Sequence, residues 1–162
     1  MLLYIVRHGD ADTEAESDDA RVLSKKGIRV THEMATLLKN SKFDPPELIV
    51  TSPLPRAEQT ARIMAEGFAP KAKFEINDGL RAGTSLEAAM SVIASKAEGI
   101  EGLMVVGHDP VFSRLASILV SGSDHPAIEM KKSGVAIFEL TRFDAPRMRG
   151  VLRAYLPPAI LS

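Results

Sequence analysis

The chain has 162 residues, 20 basic against 21 acidic side chains, and no cysteine. This length fits one domain with a sizeable core, and the balanced charge argues against a nucleic-acid-binding protein. The lack of cysteine excludes disulfides and thiolate nucleophiles, and no apolar run approaches the ~18 residues of a membrane span. Because the first residues do not resemble a secretory signal, we expect a cytoplasmic protein.

Strands and helices alternate from the start of the chain. The apolar run at 2–6 predicts a strand covered on both faces, and the acidic stretch at 11–22 predicts a loop. We expect Ser24 to cap a helix over 25–39. The buried face of that helix would carry Ile28, Met34, Ala35 and Leu38.

The middle of the chain continues the alternation. A second strand is predicted at 47–51, a helix ending near Gly67 follows the prolines after it, and a third strand is predicted at 73–76. Thr84 and Glu87 predict a capping box at the start of the next helix.

The last elements complete the sheet. A fourth strand is predicted at 103–107, a helix from about 110 to 120, and a hairpin-like pair at 134–140 and 150–156. This order predicts an α/β fold, a single three-layer α/β/α domain over 1–162 with a mostly parallel sheet.

Histidines and arginines gather where these strands end. The first strand ends in Arg7 and His8, the second is followed by Arg56 one helical turn on, and the fourth ends at His108. Because ligands of such sheets bind beyond the carboxyl ends of the strands, we expect these side chains to share one site.

The residue types at this edge suit a phosphoryl group. Arginine presents a charged fork of donors that matches phosphate oxygens, and helix N-termini favour anions. A neutral imidazole can attack phosphorus and carry the phosphoryl group covalently. Gly9 would let the chain turn sharply and bring its backbone close to the bound group.

Three sequence blocks carry a family resemblance. "IVRHGDA" at 5–11, "TSPLPRAEQTA" at 51–61 and "VVGHDP" at 105–110 resemble the signature blocks of the histidine phosphatase, or phosphoglycerate mutase-like, superfamily. The short length, the acidic loop and "DDARVLSKKG" at 18–27 are most similar to the SixA-type phosphohistidine phosphatases. The resemblance covers essentially the whole chain.

The resemblance implies a role for each matching residue. His8 would be the nucleophile that becomes phosphorylated, and Arg7 and Arg56 would bind the phosphoryl oxygens. Arg21 would contact the phosphate as well, and His108 would donate a hydrogen bond to it in the transition state. Such catalysis needs no metal or other cofactor.

The sequence departs from the wider family at the general acid. Many members carry a glutamate where this chain has Gly79 before Leu80. We favour Asp18 as its catalytic replacement, with Asp78 or no residue as the alternatives. Without a strong acid the site suits an imidazole leaving group, whose pKa is near ~6.5. We therefore expect removal of phosphate from phosphohistidine on a protein, such as a phosphocarrier or phosphorelay protein.

Other functions are compatible with the same residues. A small-molecule phosphomonoesterase of the same superfamily and a non-catalytic phosphate-binding module share the same blocks. Asp10 and Asp12 partly match the aspartate-nucleophile motif of haloacid dehalogenase-like phosphatases. A metallohydrolase could use His8, Asp10, His108 and Asp109 as ligands. The sequence does not indicate an oligomeric state.

Overall fold

The computed structural model describes residues 1–123, 125–145 and 147–161. The strands are β1 (Leu2–Arg7), β2 (Leu48–Thr51), β3 (Lys73–Ile76), β4 (Gly102–Gly107), β5 (Val135–Arg142) and β6 (Arg149–Leu156). The helices are α1 (Lys25–Lys39), α2 (Pro55–Gly67), α3 (Leu86–Lys96) and α4 (Val111–Ser121). Short 3-10 turns lie at Asp18–Ala20, Asp78–Leu80 and Pro158–Leu161.

All six strands form one mixed sheet in the order β3-β2-β4-β1-β5-β6. The first four strands of the chain run parallel, whereas β5 runs antiparallel to β1 and β6 antiparallel to β5. The expected mostly parallel α/β sheet is therefore confirmed. None of the helices within the described residues is long and apolar enough to cross a membrane.

The core lies on both faces of the sheet. In β1 the side chains of Leu3 and Ile5 pack with α3 and α4, while those of Tyr4 and Val6 pack with α1 and α2. This alternation follows from the two-residue period of a strand. All four side chains are fully buried, and each such burial is worth about 1.5–3 kcal/mol for an aliphatic side chain. The chain at the end of β1 is therefore firmly held.

Two helix details differ from the sequence prediction. Ser24 does cap α1, accepting a hydrogen bond from the Gly27 N–H, but Ser85, not Thr84, caps α3 by accepting from Ala88. Ile28 is 39% exposed, so its assignment to the buried face was wrong. The buried position goes to Thr31, whose hydroxyl shares a hydrogen bond with Ser133.

The N-terminus of α1 packs directly on the chain that follows β1. The Gly27 position leaves no room for a side chain, because a Cβ there would lie 2.0 Å from the backbone oxygen of Asp10. The Ser24 hydroxyl adds a 2.7 Å hydrogen bond to the Asp10 carboxylate. Helix α1 is thus anchored two residues from His8.

We expect Gly27→Ala to destabilise the protein, although alanine in an exposed helix would usually gain up to about 1 kcal/mol over glycine. Overpacking against backbone should cost about 1–3 kcal/mol and lower the melting temperature measured by circular dichroism. Lys26→Ala, one residue earlier on the exposed side, is the control and should change little. A Gly27→Ala variant as stable as the wild type would contradict the close contact.

Candidate active site

The four principal candidates from the sequence come together at one edge of the sheet. His8 follows β1, Arg56 lies in the first turn of α2, and His108 follows β4, with its ring centroid 5.0 Å from that of His8. These three side chains are buried, with exposed fractions of 7%, 4% and 4%. Arg7, the last residue of β1, adds a second positive charge that acts on His8. The predicted shared site is therefore present in the structure.

His8 is held as a neutral imidazole with one nitrogen free. Its Nδ1 lies 2.7 Å from the Gly9 carbonyl oxygen, which can only accept, so Nδ1–H is the donor. Burial lowers the pKa of His8 to about 4; the Gly9 bond opposes this change, and Arg56 and Arg7 reinforce it. At neutral pH the Nε2 lone pair is available for attack.

The position of Gly9 leaves little room for a side chain. Its N–H donates to Thr60 Oγ1 at 3.0 Å, and a Cβ on it would lie 2.8 Å from Thr31 Oγ1 and 2.9 Å from Ser133 Oγ. Its φ is outside the left-handed region, so no special backbone conformation demands glycine here. The predicted contact of Gly9 with substrate stays a prediction.

Both arginines are oriented by fixed partners. Arg7 Nη1 donates to the Met130 carbonyl at 2.8 Å and lies 3.5 Å from Asp109 Oδ2. Arg56 donates through Nη1 to the Asp18 carbonyl at 2.8 Å and through Nη2 to the Asp18 carboxylate at 3.1 Å. Within the described part of the chain, the buried Nε of each arginine has no hydrogen-bond partner. Each of the two guanidinium groups therefore keeps one buried N–H that the described residues do not saturate.

His108 is neutral as well. Burial, and next the proximity of His8 and Arg56, lower its pKa to about 3. Its Nε2 lies 2.7 Å from the hydroxyl of Ser52, while its buried Nδ1 has no partner among the described residues.

Arg21 and Asp18 join the site from the acidic loop. Arg21 donates to the carbonyls of Asp12 and Ala11 at 2.8 and 3.1 Å, and to Asp18 Oδ1 at 3.1 Å. The Asp18 carboxylate therefore bridges Arg21 and Arg56. The hydrogen bond from Arg21, and next the charge of Arg56, hold the pKa of Asp18 below its ordinary value. With these partners Asp18 is ionised at neutral pH, which argues against its predicted role as a proton donor.

The other predicted acid lies outside the site. The Asp78 side chain is 88% exposed and pairs loosely with Arg81 at 3.8 Å. At the neighbouring Gly79, where the family glutamate was expected, a Cβ would lie 2.6 Å from Val92 Cγ2. The local packing therefore excludes a larger residue unless Val92 moves.

The four residues suggested as metal ligands, His8, Asp10, His108 and Asp109, are not grouped as a metal site. Asp10 bonds Ser24 and Lys132, and Asp109 bonds Ser113 through both carboxylate oxygens. In residues 1–123, 125–145 and 147–161, no three His, Asp or Glu side chains are grouped as a metal site requires.

Two residues that contact the site were not assigned a role from the sequence. Ser52 bonds His108, and Thr60 accepts from Gly9 while donating to the Arg56 carbonyl at 2.7 Å. Both residues lie in the 51–61 sequence block, and this position was the feature of the sequence that could have indicated their role.

Comparison with known proteins agrees with this geometry. The profile of the histidine phosphatase superfamily (branch 1) matches residues 3–82. The chain is 30% identical to phosphohistidine phosphatase SixA of Escherichia coli K12 over 127 residues, which is 78% of each protein. It is 31% identical over 133 residues to the SixA homolog of Haemophilus influenzae, covering 74% of this chain and 77% of that one.

A solved structure gives the same picture of the fold. The protein histidine phosphatase SixA complexed with tungstate superposes with a TM-score of 0.86 at 26% identity, covering 100% of both chains. The likeness thus extends beyond the profile match to both ends of the sheet.

We expect Asp18→Asn to bind anions more tightly, because the substitution removes the negative charge that Arg21 and Arg56 share. The dissociation constant of inorganic phosphate, measured by calorimetry, should fall several-fold. Asp19→Asn, whose carboxylate pairs with Arg81 instead, is the matched control. Weaker phosphate binding in Asp18→Asn would show that Asp18 supports the anion site.

Burial of neutral His8 also predicts a pH dependence of stability. Its pKa in the folded state, about 4, lies below the ordinary 6.5, so the unfolded chain binds an extra proton between these values. Stability is therefore lost as pH falls through this window, by up to about 1.4 kcal/mol per pH unit.

Urea unfolding at pH 6.5, 5.5 and 4.5 tests this linkage. The wild type should lose more stability over this range than His8→Gln, in which the titrating group is absent. Equal losses in the two proteins would show that His8 is protonated in the folded state.

Proposed function

We propose that this chain, which belongs to the histidine phosphatase superfamily, is a phosphohistidine phosphatase that acts through phosphorylated His8. The observation that carries the proposal is the neutral His8, whose Nε2 is free beside two arginines with unsaturated N–H groups. A neutral nitrogen nucleophile next to a cationic anion site is what phosphoryl transfer requires.

The first step transfers the phosphoryl group to the enzyme. The Nε2 lone pair of His8 forms a bond to phosphorus while the phosphorus–nitrogen bond to the substrate imidazole breaks and its electron pair leaves with that ring. Arg7, Arg56 and His108 would hold the phosphoryl oxygens and stabilise the negative charge that these oxygens carry in the transition state. Arg21 would add a contact from the loop.

The second step regenerates the enzyme. A water molecule attacks phosphorus from the side opposite His8, the bond from phosphorus to Nε2 breaks, and inorganic phosphate is released. The electron pair returns to Nε2, and the protons of the water go to phosphate and solvent.

Neither of the two predicted carboxyl acids, Asp18 and Asp78, is placed to donate a proton, and this supports phosphohistidine as the substrate class. Asp18 is ionised between two arginines, and Asp78 is exposed and faces Arg81. The alcohol of a phosphomonoester leaves as an alkoxide, which needs a proton from the enzyme. The imidazole of a phosphohistidine can take its proton from solvent and leave as a neutral base. The curated relatives from E. coli and H. influenzae carry the same activity in their names.

A protein substrate fits the open edge of the site. Residues 12–20 are all exposed, and they form the loop that presents Asp18 to Arg56. We propose that a phosphohistidine-bearing phosphocarrier or phosphorelay protein docks over this edge. Cytoplasmic location stays a prediction from the sequence.

His8→Ala should abolish turnover of a phosphohistidine protein, a loss of at least about 10³-fold, which is the scale of removing a covalent nucleophile. Wild-type enzyme quenched during turnover should carry an acid-labile phosphate on His8, detected by mass spectrometry of the peptide. His32→Ala, on the surface of α1, is the control and should keep wild-type activity.

The same assay separates the alternatives. Phosphohistidine protein, sugar phosphates and an aryl phosphate are compared, each with and without a chelator. Faster turnover of sugar phosphates would favour the small-molecule phosphatase, and loss of activity with chelator would favour a metal-dependent enzyme. Phosphate binding with no turnover of any substrate would indicate a non-catalytic module.

A further inference from the structure

We propose that Ser52 is a positioning residue that sets the tautomer of His108, so that His108 presents Nδ1–H to the phosphoryl group. The proposal rests on the function proposed above, and it assigns to Ser52 a task that none of the sequence blocks reveals. It follows from counting the hydrogen bonds available to two buried side chains.

Ser52 is rigidly placed. It is fully buried directly after β2, and its N–H donates to the Val106 carbonyl at 3.0 Å. Val106 belongs to β4, the strand that leads to His108 two residues later. The pairing of β2 with β4 therefore fixes the Ser52 hydroxyl opposite the His108 ring, where Oγ lies 2.7 Å from Nε2.

The Ser52 hydroxyl has one acceptor available. Its oxygen already accepts the Leu54 N–H at 3.2 Å, and its hydrogen has only His108 Nε2 within reach among the described residues. If the hydroxyl donates to Nε2, that nitrogen carries no hydrogen, and the single proton of the neutral ring sits on Nδ1. The opposite tautomer would leave the buried hydroxyl hydrogen without an acceptor, which is costly.

The nitrogen that receives the proton is the one left without a hydrogen-bond partner among the described residues. His108 Nδ1 is buried and has no partner among the described residues, and the ring lies against His8 and within the field of Arg56. A lone pair at Nδ1 would repel phosphoryl oxygens, whereas Nδ1–H donates to them. A ring with a lowered pKa stays neutral and has only one N–H, so the choice of nitrogen decides whether it can donate at all.

His8 and His108 then both carry their hydrogen on Nδ1, but they use different nitrogens for catalysis. In His8 the Gly9 carbonyl accepts from Nδ1–H, and the free Nε2 lone pair faces the phosphorus. In His108 the Ser52 hydroxyl occupies Nε2, and Nδ1–H is the group left free. His8 supplies an electron pair, and His108 supplies a hydrogen-bond donor.

Nitrogen NMR of the wild-type protein at pH 7 tests the assignment directly. The proposal requires His108 to show a protonated Nδ1 and an unprotonated Nε2. A protonated Nε2 would overturn it, and this measurement depends on neither a variant nor activity.

Ser52→Ala tests the role of the hydroxyl. We expect Nε2 of His108 to gain protonated character, and kcat for the phosphohistidine protein to fall about 10–100-fold with little change in KM, since the lost donor acts in the transition state. Ser52→Thr keeps a hydroxyl and should recover most of the tautomer and of kcat. An unchanged tautomer or an unchanged kcat in Ser52→Ala would overturn the proposal.

Ser117→Ala is the matched control, because Ser117 is equally buried and its hydroxyl accepts two backbone N–H groups near α4. It should lower the melting temperature without altering the His108 nitrogens or kcat. Failure of the proposed function itself would look different, because the wild type would then not turn over the phosphohistidine protein, or His8→Ala would retain wild-type turnover.

Discussion

The hydrogen bond from His8 Nδ1–H to the Gly9 carbonyl is the interaction on which the site depends. It orients the ring and leaves Nε2 as the free nitrogen, and burial keeps that nitrogen unprotonated at neutral pH. The chain passes so close to Thr31 and Ser133 that a side chain at position 9 would displace their hydroxyl groups. The proposed nucleophile is thus prepared by packing at the end of the central strand β1.

Charge balance constrains the rest of the site. Two guanidinium groups beside two buried histidines would repel any proton on those rings, and this helps to keep both imidazoles neutral. Asp109 on Arg7 and Asp18 on Arg56 offset the positive charge with carboxylates at 3.5 and 3.1 Å. The two offsets differ in kind. Asp109 is locked by Ser113, whereas Asp18 belongs to an exposed loop and meets the arginines at the site itself.

Much of this could be predicted from the sequence, because it depends on local patterns and one topological rule. Apolar runs predicted the strands, and Ser24 predicted the start of α1. Because parallel strands meet at their carboxyl ends, the topology predicted that His8, Arg56 and His108 lie together. Three sequence blocks gave the family. What could not be predicted depends on contacts between distant segments. Thr31, and not Ile28, is buried on α1, where its hydroxyl shares a hydrogen bond with Ser133. The ionised state of Asp18 depends in part on Arg56, which lies 38 residues away in the chain.

The lack of a general acid is also a packing property. The position that would carry the family glutamate lies in a 3-10 turn whose backbone rests against α3, and Val92 of that helix fills the space that a Cβ would occupy. Placing a carboxylate there would require the Val92 side chain to move or a smaller residue at position 92. The proposed substrate preference is therefore coupled to the packing of α3 against the turn at Asp78–Leu80. A change towards phosphomonoesters would need the turn and the helix to change together, because a new acid at position 79 alone would disturb the core that supports it.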